Sequence, residues 1–171
     1  MRVTSKTMTG LALALCLAGC GKSKSDDNHI FGVARGQQLS TLQDVRPLNE
    51  PPLINYSFTP AQKDPAFSDY AMLAGPTVGV CAVRAKGSGM TQDALNTLRD
   101  KLKGQYGDPG FSAETNSYFW PANVGDVIAG TNIGTVVLNY FGSDVSLTYT
   151  FTNVGACNHE LAVQPTPGDG E

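Results

Sequence analysis

The most restrictive feature of this chain is a pair of β-prone runs near its C-terminal end. Residues 135–141 read TVVLNYF and residues 145–153 read VSLTYTFTN, with Gly142, Ser143 and Asp144 between them. In the second run Val145, Leu147, Tyr149 and Phe151 alternate with Ser146, Thr148, Thr150 and Thr152. A strand turns successive side chains to opposite faces, so this pattern puts every large apolar group on one side and every hydroxyl on the other. It predicts an antiparallel strand with one dry and one wet face, joined to its neighbour by a tight turn. Any fold must therefore supply a cover for the apolar side of a sheet.

The chain carries an obvious cover. Ala94, Leu95, Leu98, Leu102 and Tyr106 recur at the spacing of one helix face, while Asp93, Asn96, Arg99, Asp100, Lys101 and Lys103 fill the remainder. Thr91 is the expected N-cap, Asp93 complements the positive end of the helix, and Gly107 and Pro109 end it. Residues 77–86, TVGVCAVRAK, predict a further strand, and residues 117–120 a short one. Residues 30–33 read as another short strand, and residues 37–42 as one or two helical turns. Pro47, Pro51, Pro52, Pro60 and Pro65 exclude a helix over residues 47–66. That stretch reads as an extended arm packed on the core through Leu53, Ile54, Tyr56, Phe58, Phe67 and Tyr70, with an edge strand over 53–58. The expected fold class is α+β: an antiparallel sheet of about four strands covered by one amphipathic helix (residues 91–106) and preceded by the Pro-rich arm.

The 171 residues suit a single domain, and 41% apolar content is enough for a core. A net charge of −3 argues against nucleic acid as a partner. No apolar run reaches the roughly 18 residues of a membrane-spanning helix.

The N-terminal 20 residues have their own logic. Arg2 and Lys6 precede about 11 mostly apolar residues from Met8 to Ala18, and the segment closes on Leu17-Ala18-Gly19-Cys20. In this order of charge, apolar run and box the chain resembles the bacterial lipoproteins, whose lipobox is a Leu, two small residues and a Cys. The resemblance implies a signal peptide over 1–19, cleavage after Gly19 and a diacylglyceryl group on the Cys20 thiol, with acylation of the new amino group. Such a protein is held in the bilayer by two or three acyl chains. The alternative is an ordinary secretory signal with a chance Cys after its cleavage site. Removing 19 of 171 residues leaves 152, and losing Arg2 and Lys6 takes the net charge from −3 to −5. Gly21, where an Asp would favour inner-membrane retention in enteric-type bacteria, points to the outer membrane on its periplasmic side. Residues 20–29 then read as the lipidated Cys and a polar tether reaching about 15–18 Å. Residues 30–163 form the globular domain and residues 164–171 a disordered tail.

With Cys16 lost with the signal and Cys20 acylated, Cys81 and Cys157 remain. Export implies an oxidising compartment, so the two are expected to pair as a disulfide between the first core strand and the end of the last. Two free buried thiols are the alternative, and a native thiol count separates them. The chemistry-bearing patterns are sparse. His29 and His159 are isolated, and no HExxH, GxSxG, SxxK or phosphate-loop pattern occurs. Gly87, Ser88 and Gly89 before the helix read as a plain connection, and Asp100, Asp108 and Glu114 form no pair. No catalytic residue, metal or cofactor is expected. Trp120, Tyr140 and Tyr149 are the candidate interaction surface, aromatic rings being common anchors of interfaces.

Two functions follow. One is a non-catalytic accessory or assembly module of the envelope, partnered by the bilayer through Cys20 and by another envelope protein. The other is a small-ligand-binding lipoprotein or an inhibitor of an envelope enzyme. Residues 102–109, LKGQYGDP, with the helix before them, resemble the BamE-like group of small outer-membrane lipoproteins over fewer than 20 residues. No functional residue carries over from that likeness.

Overall fold

The computed structural model describes residues 29–48, 55–123 and 126–162. The expected signal segment 1–19, Cys20 with the tether up to residue 28, residues 53–54 of the expected edge strand and the tail 164–171 lie outside the described residues.

The described residues open with a two-stranded hairpin, β1 (His29–Ile30) and β2 (Val33–Ala34), followed by one 3₁₀ turn at Leu39–Thr41. Four strands come next: β3 (Arg46–Pro47), β4 (Tyr56–Ser57), β5 (Asp69–Gly75) and β6 (Gly79–Gly87). Helix α1 (Gln92–Tyr106) leads to a second group of four, β7 (Gly110–Ser112), β8 (Ser117–Trp120), β9 (Ile133–Phe141) and β10 (Asp144–Phe151). Helix α2 (Val154–Ala162) follows directly. The sheet runs β3-β4-β5-β6-β10-β9-β8-β7, antiparallel throughout. It consists of two four-stranded meanders whose last strands, β6 and β10, pair at the centre. Helix α1 is the crossover that carries the chain from the centre to the far edge.

This corrects the expected α+β layer of about four strands under one helix. Among the described residues the sheet has eight strands, a separate hairpin stands beside it, and each face has a helix. The Pro-rich stretch is part of the sheet: it contributes β4, which pairs with both β3 and β5 and so is not an edge. The edge is β3, where Pro47 sits, a position that tolerates the missing amide donor. Strand β5 has no alternation to announce it, since Tyr70 to Gly75 are all buried. The final strand stops at Phe151, and Cys157 lies in a helix rather than at a strand end.

Helix α1 forms where its periodicity puts it. The Thr91 side chain accepts from Ala94 N at 3.2 Å, and Leu95, Leu98 and Leu102 are its buried face. They meet Met72, Val83, Val136, Leu138, Val145 and Leu147 from the sheet. On the reverse face Leu73, Ala82 and Cys81 pack against Cys157 of α2, flanked by Val154 and Leu161. A bulge makes both coverings possible. Leu73 pairs with Ala82 and Ala74 with Val80, which leaves Cys81 as the extra residue. Val80 and Val83 thereby both face α1, while Cys81 faces α2 and forms a disulfide with Cys157, with Cα atoms 6.3 Å apart. A second bulge leaves Gly134 extra in β9, so Ile133 and Val136 share the α1 face.

Helix α2 is also clasped from its C-terminal half. The Glu160 carboxylate accepts from Thr77 N at 2.8 Å, from Val78 N at 3.1 Å and from the Thr77 hydroxyl. These donors, the Thr77 hydroxyl foremost, hold its pKa below the ordinary carboxylate value. Gly75 lies so close that a Cβ there would collide with Glu160 Oε2.

Candidate functional site

The β1–β2 turn is built from Phe31 (φ 54°) and Gly32 (φ 84°), the backbone of a type I′ hairpin. Glycine suits its position: a Cβ there would stand 2.8 Å from the Ala61 Cβ. Phenylalanine does not suit the other, and positive φ costs a residue with a Cβ about 1–2 kcal/mol. Among the described residues the other non-glycine residues at positive φ, Asp44 and Asn116, are of the kinds that tolerate it. What holds Phe31 there is aromatic contact. Its ring meets Tyr70, Phe67 and Tyr149 edge-on at centroid distances of 5.1, 6.0 and 6.0 Å. Tyr70 is fixed in turn, its hydroxyl accepting from Asp64 N and donating to Asp64 O, both at 3.0 Å. Burial pushes the Tyr70 phenol up.

Between this hairpin and α1 lies a cleft of about 360 Å³. Leu147 and Tyr149 of β10 form its floor, Leu98, Leu102 and Tyr106 the helix wall, and Ile30 and Phe31 the opposite wall. Tyr106 and Tyr149 meet edge-on at 6.4 Å. Tyr149 is held well above the ordinary phenol pKa, first by burial and then by its electrostatic interaction and hydrogen bond with Tyr106. Lys101 and Gln105 of α1 face Gln62, Lys63 and Asp64 across the mouth. A second hollow, about 420 Å³, lies beside the same loop against Phe58, Phe67, Asp69 and Tyr70.

The three aromatic residues expected to form one surface are divided. Trp120 is wholly buried, and its indole N–H donates to Gly107 O at 2.8 Å, tying the end of α1 to the sheet. Tyr149 is the cleft floor. Tyr140 is half-buried elsewhere on the same face, stacked on Tyr118 at 6.0 Å, and Tyr118 meets the exposed Phe111 at 5.0 Å. The Arg99 guanidinium lies 5.7 Å from the centre of the Tyr118 ring and pairs with Asp100 at 2.9 Å. Hydrogen bonds to Tyr118 and then Asp100 raise its pKa further.

Phe31, Lys63 and Lys101 are site residues that sequence reasoning missed. The Phe-Gly pair between two apolar residues was the available signal for a two-residue hairpin. Nothing local announces that Lys63 and Lys101 line the same cleft. Among the described residues no group of three or more His, Cys, Asp or Glu side chains is placed to hold a metal ion. Comparison with protein-family models, curated proteins and solved structures finds no match to this chain.

Proposed function

We propose that this chain is a membrane-anchored bacterial envelope lipoprotein whose folded domain is a non-catalytic accessory or assembly module. Cleavage after Gly19 leaves Cys20 as the acylated N-terminus, and the domain sits at the outer membrane facing the periplasm. The observation that carries this reading is Leu17-Ala18-Gly19-Cys20 directly behind a short basic segment and an apolar run. Two further features support it. The Cys81–Cys157 disulfide suits an exported domain. Cys20 also precedes His29, the first residue of β1, by only nine positions, so the fold begins close to its anchor. The Phe111–Tyr118–Tyr140 ladder with Arg99 is the surface offered to a protein partner, rings and a guanidinium being the groups that carry most interface energy.

The test is labelling with radioactive palmitate in a bacterial host. The wild type incorporates label and fractionates with membranes, whereas Cys20→Ser takes up none. Equal label in both would refute the anchor. For the module, one large envelope complex co-purifies with the wild type from detergent-solubilised envelopes and is lost with Tyr118→Ala/Tyr140→Ala. Retention by that variant would refute the assigned surface.

A further inference from the structure

We propose that the cleft between α1 and the β1–β2 hairpin binds a small monoanionic amphiphile. Four observations lead there. The first is size: about 360 Å³ falls within the range of small-molecule sites and corresponds to about a dozen waters at roughly 30 Å³ each. That admits an apolar body of about a dozen non-hydrogen atoms. The second is lining: floor and walls are leucine, isoleucine and aromatic rings, which favour a flat or straight apolar body over a sugar or peptide.

The third is charge. Lys63 and Lys101 stand at the mouth, and neither has an ion-pair or hydrogen-bond partner among the described residues. Asp64, the acid at the same rim, already has a carboxylate oxygen accepting from Ala66 N at 2.9 Å. Two ammonium groups against one carboxylate leave the rim net cationic on a chain whose net charge is −3. An apolar pocket under two ammonium groups complements a molecule with one carboxylate or sulfonate end. The fourth is strain: Phe31 is held at positive φ so that its ring forms one wall. Backbone strain of this kind collects at ligand sites.

Membrane attachment plays no part in this inference, so the test uses the full chain carrying Cys20→Ser, where no acyl group competes. Amide spectra are recorded during titration with 2-naphthoate, with its uncharged counterpart 2-naphthamide, and with a single-chain lysophosphatidylglycerol below its micelle concentration. Naphthoate is expected to shift the amides of Ile30, Lys101, Leu102 and Tyr149 saturably, and naphthamide to bind about tenfold more weakly. Lys63→Ala/Lys101→Ala, both at exposed positions, should weaken naphthoate by about tenfold and leave naphthamide unchanged. The lysolipid distinguishes the source: weaker binding than naphthoate assigns a soluble small molecule, and tighter binding at the same amides assigns a lipid. Absence of saturable shifts, shifts centred on Phe111 and Tyr140, or equal binding of naphthoate and naphthamide would overturn the proposal.

Discussion

Strands β5 and β10 flank β6 in one sheet and carry opposite signatures. In β10 buried residues alternate with half-exposed ones from Val145 to Phe151, whereas in β5 six successive residues from Tyr70 to Gly75 are buried. The cause is what lies behind each strand. Helix α2, held by the disulfide and by Glu160, covers the reverse face at β5 and β6, while Ser146, Thr148 and Thr150 of β10 remain half-exposed. Alternation is the imprint of a single covered face, and it disappears when both faces are covered.

The largest effect that would break this comparison comes from removing the clamp. The Cys81–Cys157 bond spans 76 positions, so Cys157→Ser should cost about 4 kcal/mol of unfolding free energy in denaturant titrations. A loss below about 1 kcal/mol would mean that α2 contributes little to the first meander.

Neighbouring substitutions sharpen the contrast. In β5, Met72 faces α1 and Leu73 faces α2, so Met72→Ala and Leu73→Ala should each cost about 2–5 kcal/mol. In β10 only one of two neighbours should matter: Leu147→Ala about 2–5 kcal/mol, Thr148→Ala about 0.5 kcal/mol or less. Chemical denaturation of the four variants checks this. A neutral Leu73→Ala, or a Thr148→Ala as costly as Leu147→Ala, would erase the distinction.

The same contrast explains what was legible in the sequence. Strand β10 and helix α1 were read from their periods because each buries one face, whereas β6, β8 and β9 were read as β-prone runs without alternation. Strand β5, DYAMLAG, was missed because it shows neither alternation nor β-branched residues. Helix α2 was missed because nine residues containing a glycine carry no amphipathic signal, and its position comes from Cys157 and Glu160 rather than from propensity. At the cleft, Tyr149 followed from the alternation of β10. Phe31 did not, because its turn departs from the Asn-Gly or Asp-Gly pattern that would have announced it. Lys63 and Lys101 come to the same cleft only through the tertiary fold.

The smallest expected effect concerns pH. Glu160 is more acidic in the folded protein than the ordinary value of 4.5. Its stabilising contribution is therefore complete above that value and is lost as pH falls below 4.5 and through the lowered folded value. Glu160→Gln should be less stable than wild type at pH 7, and the gap should close on acidification. Urea midpoints at the two ends of that range check this, and a pH-independent gap would show that the clasp does not depend on the charge.

The intact mass of the protein extracted from native membranes tests the membrane-anchored reading most directly. The expected species starts at Cys20, carries two or three acyl chains, and gains the mass of two hydrogens on reduction as the Cys81–Cys157 bond opens. A mass that begins at Met1, or one that begins at Cys20 without acyl groups, would contradict it.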